Sequence, residues 1–243
     1  MSDSRTFVIG DIHGALRAIQ QLMEKIDPRP QDKLIFLGDY VDGWSESAQV
    51  ITFLLELDEK HSCVFIKGNH DVLCEAWLNN SLQDKTWLFN GGSSTITSYQ
   101  GLTPQEKEKH LAFFNRMRNY YVDDQNRLFI HAGFTSMHGP DKEQYESVYS
   151  KDRTLWEMAL TMDKRIKKDS KLFPKRLLLF NEIYIGHTPT LNYDIAVPMQ
   201  ACNVWNLDTG AAYYGKLSAM NIDTKVILQS EDVPSFYPGE KAR

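Results

Sequence analysis

Five short apolar runs in this 243-residue chain each end in residue types suited to binding metal ions. Phe7-Val8-Ile9 leads into Gly10-Asp11-Ile12-His13-Gly14. Leu34-Ile35-Phe36-Leu37 leads into Gly38-Asp39-Tyr40-Val41-Asp42. Residues 63–66 open into Gly68-Asn69-His70-Asp71, Leu128-Phe129-Ile130 into His131-Ala132-Gly133, and Ile183-Tyr184-Ile185 into Gly186-His187-Thr188-Pro189. A ligand at the carboxyl end of a strand is how α/β proteins present chemistry to a crevice. One instance would carry little weight. Five instances with varied metal-binding residue types make a pattern.

Six of these side chains form a plausible ligand set: Asp11, His13, Asp39, Asn69, His131 and His187. Mixed imidazole and carboxylate donors suit Mn, Fe or Zn better than Mg or Ca, which prefer all-oxygen shells. Six ligands are too many for one tetrahedral catalytic ion with an open position. They suit two ions that share a carboxylate, and Asp39 is the natural bridge. Two ions ~3.5–4 Å apart activate a shared water and hold phosphoryl oxygens against developing charge. The expected reaction is hydrolysis of a phosphate ester by bridging hydroxide, with no covalent intermediate. The leaving oxygen still needs a proton. His70, next to ligand Asn69, is read as the general acid, a role contributing typically ~10²–10⁴-fold. Asp42 is read as its counter-charge.

The intervening chain must position these groups. Leu16, Ile19, Leu22, Met23 and Ile26 recur at helical spacing, and Asp27-Pro28-Arg29-Pro30 stops that helix. A second helix is expected over about 45–60. Strand–helix–strand–helix–strand predicts right-handed crossovers and an at least partly parallel sheet. Residues 72–120 read as helix and loop, with a helix over 105–118. Strands at 120–123 and 127–130 are expected to turn at Asp124-Gln125-Asn126. Residues 143–172 read as helical and solvent-facing. From Ala201 onward the pattern is β, at 203–207, 211–220 and 225–229, and a loose tail is expected after Glu231.

Composition narrows the function classes. The hydrophobic fraction of 42% is ample for a core, and the net charge of −5 argues against general affinity for nucleic acid or anionic membrane. Cys63, Cys74 and Cys202 form no CxxC pair, so neither a disulfide framework nor a zinc-thiolate site is implied. Residues 1–6 are polar, and no apolar run approaches the ~18 residues of a membrane span. A reducing, cytoplasmic setting is expected. One domain over 1–243 is expected, with a mostly helical insertion or cap at about 140–178 and a C-terminal β region at about 201–230.

The blocks GDIHG, GDYVD, GNHD, HAG and GHTP, in that order over about residues 7–190, resemble the signature of the calcineurin-like metallophosphoesterases. The likeness is strongest to the bacterial serine/threonine phosphatase branch, which includes phage lambda-type enzymes and symmetrical diadenosine tetraphosphatases. The resemblance implies an α/β fold in which a two-sheet β-sandwich of mixed sheets is flanked by helices, with the C-terminal β run in the second sheet. It implies that Asp11, His13 and Asp39 hold one metal. It implies that Asp39, Asn69, His131 and His187 hold the other, and that Asp42 and His70 form the acid pair. Manganese is the expected metal, with iron or zinc as alternatives.

Three blocks depart from the family pattern. Its second block usually reads GDxVDRG, with the arginine gripping substrate phosphate; here Gly43 and Trp44 stand there. Arg153 fits a second family arginine, and with Asn69 and His70 it is expected to bind the substrate phosphate. GNHD replaces GNHE, and HAG replaces HGG. Trp44 reads as a partly buried loop aromatic, with stacking on a nucleobase as the alternative. Asn90-Gly91-Gly92 reads either as a turn or as groove lining, and the lysines and arginines of 164–176 as a solvated helix face. The expected substrate is a phosphomonoester, with phosphoserine or phosphothreonine protein first and a dinucleoside polyphosphate as the alternative. A non-catalytic metal-binding scaffold is the third reading.

Overall fold

The computed structural model describes residues 4–82 and 85–241; the first three residues of the polar N-terminal stretch lie outside it. The chain begins β1 (Thr6–Ile9), α1 (Leu16–Ile26), β2 (Lys33–Phe36), α2 (Ser47–Asp58), β3 (Ser62–Phe65) and α3 (Asn69–Leu78). Then follow α4 (Gly92–Ser98), α5 (Pro104–Asn115), β4 (Tyr120–Val122), β5 (Arg127–Ile130), α6 (Ser147–Lys151), α7 (Thr154–Leu160) and β6 (Glu182–Ile185). The chain closes with β7 (Met199–Ala201), β8 (Val204–Asn206), β9 (Lys216–Asn221) and β10 (Ile227–Asp232). Two mixed five-stranded sheets result, ordered β10-β9-β1-β2-β3 and β4-β5-β6-β8-β7. This is an α/β fold with helices outside the sheets.

The apolar runs are continuous because both strand faces are buried. In β1 and β2, Val8 and Ile35 point between the sheets, where they meet Phe129, Tyr184, Leu207 and Met220. Phe7, Ile9, Leu34 and Phe36 point outward, under the apolar faces of α1 and α2. The second sheet packs Leu128, Ile130, Ile183 and Val204 against Leu155 and Trp156 of α7. β1, β2 and β3 run parallel to one another, as do β5, β6 and β8. The five predicted blocks therefore all leave from carboxyl strand ends.

Several expectations need correction. Of the C-terminal strands only β7 and β8 join the second sheet; β9 pairs antiparallel with β1, and β10 with β9, in the first. Alternating hydrophobicity marks a strand but not the sheet edge it adds to. The stretch 143–172 carries only α6 and α7, and Leu155 and Trp156 bury one face of α7. No helix forms over 161–174, so the basic run is not a helix face. The expected loose tail is anchored. Val233 and Tyr237 are buried, and Tyr237 stacks on Trp44 with centroids 4.9 Å apart. No helix among the described residues is long and apolar enough to cross a membrane.

Candidate metal centre

Glycines let the strand ends converge. Gly38 has φ of 108°, and a Cβ there would lie 2.7 Å from the Gly68 nitrogen and 2.8 Å from His131 Nδ1. A Cβ at Gly186 would meet Asp11 Oδ1 at 2.0 Å. His13, Asp39, Asp42 and His187 all adopt left-handed backbone, with φ between 52° and 68°. Such strain, about 1–3 kcal/mol per residue, persists only where surrounding contacts fix it.

One residue that the sequence reading passed over supplies much of that fixing. The Asp71 carboxylate, fully buried, accepts the backbone N–H groups of Asp39 (2.8 Å), Tyr40 (2.9 Å) and Gly68 (2.8 Å). It ties the loop after β2 to the loop after β3. Burial and the nearby Asp39 push its carboxyl up to about 7.

The imidazoles are oriented by carbonyls. His13 Nδ1–H donates to the Asp42 carbonyl at 2.8 Å, and His131 Nδ1–H to the Leu37 carbonyl at 2.8 Å. This assigns the proton to Nδ1 and turns each Nε2 lone pair inward. Asp39 Oδ2 lies 3.7 Å from His13 Nε2 and 3.3 Å from His131 Nε2, between the two. Its Oδ1 accepts the His70 N–H at 2.9 Å. Asn69 Oδ1 is 3.3 Å from His131 Nε2, and the His187 ring stands edge-on to His131 at 5.1 Å. Asp11 Oδ2 accepts the His187 N–H at 2.9 Å and lies 3.9 Å from His13 Nε2.

Donor atoms of His13, Asp39 and His70 lie within 4.8 Å of one another, and so do those of Asp39, His131 and His187. Asp39 belongs to both clusters. His70 stands in the first cluster, where the sequence suggested Asp11, and Asp11 lies just outside it. The structure nevertheless brings all six predicted ligands into one site.

The buried acids and imidazoles perturb one another strongly. Burial would raise Asp39, but His131, His70 and His13 hold its carboxyl well below the usual range. Burial, with Asp208 and Asp39 alongside, drives Asp11 well above it. Against its burial, His131 is pushed up to about 10 by Asp39 and Asp11. Burial and neighbouring His131 push His187 down to about 3. Asp11 Oδ1 is buried without a hydrogen-bond partner, a costly state that a cation would relieve. Oriented imidazoles, crowded carboxylates and this orphaned oxygen fit divalent ions.

Above the clusters is a cleft of about 150 Å³ whose walls include His70, Asn69, Arg153, Asp208 and Tyr213. His70 Nδ1 sits 2.7 Å from Asp42 Oδ2. Asp42 is fully buried; Thr95 Oγ1–H donates to its Oδ1 at 2.6 Å, and Trp87 Nε1–H donates to its Oδ2. The exposed Arg153 reaches the cleft from the start of α7.

Trp44 is not at the site. It is buried, and its Nε1–H donates to the Ala211 carbonyl at 2.7 Å. Gly91 packs on the Asp42–Gly43 backbone, so Asn90-Gly91-Gly92 is a structural turn. Asp208, which the sequence pattern did not single out, follows β8 as the predicted ligands follow their strands. Trp87 and Thr95 had no local signal.

The family model for calcineurin-like phosphoesterases matches residues 4–212. The chain belongs to this family. It is a metal-dependent phosphoric ester hydrolase. The family generally binds two divalent metals, and the two clusters sharing Asp39 are the candidate sites. The phosphoesterase is 27% identical to an asymmetrical bis(5'-nucleosyl)-tetraphosphatase, PrpE, of Bacillus thuringiensis (strain Al Hakam), across 95% of this chain and 94% of that protein. PrpE of Bacillus cereus (strain AH187) is 28% identical over the same shares. Among solved structures, a serine/threonine phosphatase from Saccharomyces cerevisiae superposes with a TM-score of 0.62 at 15% identity, covering 99% of this chain and 83% of that one. A metallophosphoesterase from Sphaerobacter thermophilus gives 0.57 at 16%, covering 94% and 89%. These structural likenesses concern the fold.

Proposed function

We propose that this phosphoesterase hydrolyses dinucleoside polyphosphates by direct attack of water on a phosphoryl group. The observation that carries the chemistry is Asp39 Oδ2 between His13 and His131, beneath a cleft that also holds His70 braced by Asp42. Asp11, His13 and Asp39 would hold one divalent ion, and Asp39, Asn69, His131 and His187 the other; manganese suits this donor set, with iron or zinc as alternatives. Bound there, the ions would supply an activated water and neutralise phosphoryl charge. The chain's own groups do the rest. Arg153 and the Asn69 amide orient phosphoryl oxygens, the guanidinium by charge-assisted hydrogen bonds. His70 contacts the phosphoryl group as well and delivers a proton to the leaving oxygen. Asp42 holds the ring orientation and balances the imidazolium.

The substrate class rests on the relatives, and the cleft is compatible with it. Relatives matching nearly the full chain are named as tetraphosphatases. The cleft, at about 150 Å³, takes a phosphoryl group and leaves a nucleoside to lie outside it. Phosphoserine or phosphothreonine protein is the competing substrate, since the same cleft would take a phosphorylated side chain. Diadenosine tetraphosphate, a phosphopeptide and p-nitrophenyl phosphate, assayed side by side with manganese, test the order. The dinucleotide should show the highest kcat/KM. Preference for the phosphopeptide would reverse the assignment, and no turnover of any would leave the scaffold reading. Two ADP molecules as products would mark symmetrical cleavage; ATP and AMP would mark asymmetrical cleavage.

A further inference from the structure

The cleft above the metal centre has two parts. Its floor is formed by the candidate ligands and His70. Its outer wall includes Arg153, Asn192 and Tyr213, three polar residues from separate stretches of chain. Among the described residues, none of these three side chains makes a hydrogen bond, an ion pair or a ring contact. Tyr213 is half-buried, and Arg153 and Asn192 are exposed.

Backbone contacts hold this wall together. Asn192 lies in a 3-10 turn, Thr190–Tyr193, between β6 and β7. The Thr190 N–H donates to the Asp208 carbonyl at 2.8 Å. Tyr193 stands edge-on to Trp156, three residues past Arg153, with centroids 6.4 Å apart. Tyr213 lies in the turn that follows β8. There the Asp208 carboxylate accepts the Gly210 N–H at 3.0 Å, and the Gly210 carbonyl accepts the N–H groups of Tyr213 (2.9 Å) and Gly215 (3.0 Å). Trp44 Nε1–H fastens the same turn at the Ala211 carbonyl. A Cβ on Gly210 would lie 2.2 Å from Leu191, so the two turns touch. Three distant stretches are thus packed into one wall, while its three polar side chains are left over.

An amide, a phenol and a guanidinium can all donate, and a phosphate has oxygens enough to accept from all three. A phosphomonoester brings one phosphoryl group, which belongs on the floor. A polyphosphate chain brings the next phosphate outward with it. We propose that Asn192 and Tyr213, with Arg153, bind the phosphate adjacent to the one attacked, and so select polyphosphate chains over phosphomonoesters. The proposal rests on the dinucleoside polyphosphate reading and names the part of such a substrate that the wall recognises. The turns are set by their own hydrogen bonds, so little backbone ordering opposes binding.

The test isolates that second phosphate. ADP and AMP share a nucleoside, and only ADP carries a phosphate behind its terminal one. Both are measured as competitive inhibitors of p-nitrophenyl phosphate turnover with manganese, in wild type, Tyr213→Phe and Asn192→Ala. Phe keeps the ring of Tyr213, and the Asn192 side chain bonds to no described residue, so both variants should melt as wild type does. Wild type should bind ADP more tightly than AMP. Each variant should raise the Ki for ADP about 10- to 100-fold, the range of one hydrogen bond to a charged group, and leave the Ki for AMP unchanged. The KM for diadenosine tetraphosphate should rise in step with the Ki for ADP. Equal losses for ADP and AMP, or an unchanged Ki for ADP in both variants, would overturn the subsite. A wild type that turned over p-nitrophenyl phosphate but not the dinucleotide would bring down the dinucleotide reading instead, and the ADP and AMP values would still decide the subsite.

Discussion

Replacing His70 by Asn separates two roles the geometry allows. The ring lies close enough to His13 and Asp39 to be a metal ligand, and it is braced on Asp42 as a proton donor would be. As the general acid, His70 should be worth ~10²–10⁴-fold in kcat, or about 2.7–5.4 kcal/mol of transition-state stabilisation. The loss should depend on the leaving group. An alkyl phosphate needs the proton fully, whereas p-nitrophenolate leaves readily without one. His70→Asn should therefore cost at least ~10²-fold on glycerol phosphate and much less on p-nitrophenyl phosphate, with metal content unchanged. Asp42→Asn keeps the shape but turns a charge-assisted bond neutral, a difference of about 1–2 kcal/mol, or roughly 5- to 30-fold. Combined with His70→Asn it should add nothing, because Asp42 acts through His70. Steady-state kinetics on both substrates and elemental analysis of each variant provide the check. Equal losses on both substrates together with a missing ion would make His70 a ligand and refute the acid assignment.

Three further outcomes follow from the geometry. Gly43→Arg should lower kcat/KM rather than restore the family clamp, because φ is 142° and a Cβ would sit 2.9 Å from the His13 carbonyl oxygen; steady-state kinetics would show it, and a gain would contradict the reasoning. Asp71→Ala strands three backbone N–H groups and should cost about 3 kcal/mol or more in urea unfolding, with weaker metal affinity because the loop carrying Asp39 loosens. Burial pushes the His110 imidazole, which contacts Thr52 and Tyr99, down to about 4, with Glu106 opposing. The unfolded chain binds the extra proton between that value and about 6.5, so His110 contributes stability above about 6.5 that is lost as pH falls toward 4. Wild type minus His110→Gln, by urea unfolding across that window, should show a loss on the order of 2–3 kcal/mol; parallel pH profiles would argue against it.

The ligand blocks were legible because each is local: an apolar run buried on both faces, a glycine and a donor at the strand's end. Chain order and donor chemistry then pointed to the site, although separations such as Asp11 to His187 exceed 170 residues. What sequence could not convey was partnership. Nothing in 216–232 says that β9 pairs with β1 rather than with β8, because alternation fixes strand faces and leaves neighbours open. Trp44 read as only partly buried because its cover, Tyr237, lies 193 positions on. The stretch 143–172 read as helical and solvent-facing, while the breaks at Asp152 and after Leu160 depend on packing. Asp71 stood visible in GNHD, yet its three backbone donors come from loops that meet only in the folded chain.

The central claim is that Asp39 is shared by two divalent ions. Crystals grown with ample manganese and measured at an anomalous wavelength address it directly. Two anomalous peaks flanking Asp39 Oδ2, one toward His13 and one toward His131 and His187, are predicted. A single peak away from Asp39, or no peak with His131 and His187 turned outward, would contradict it.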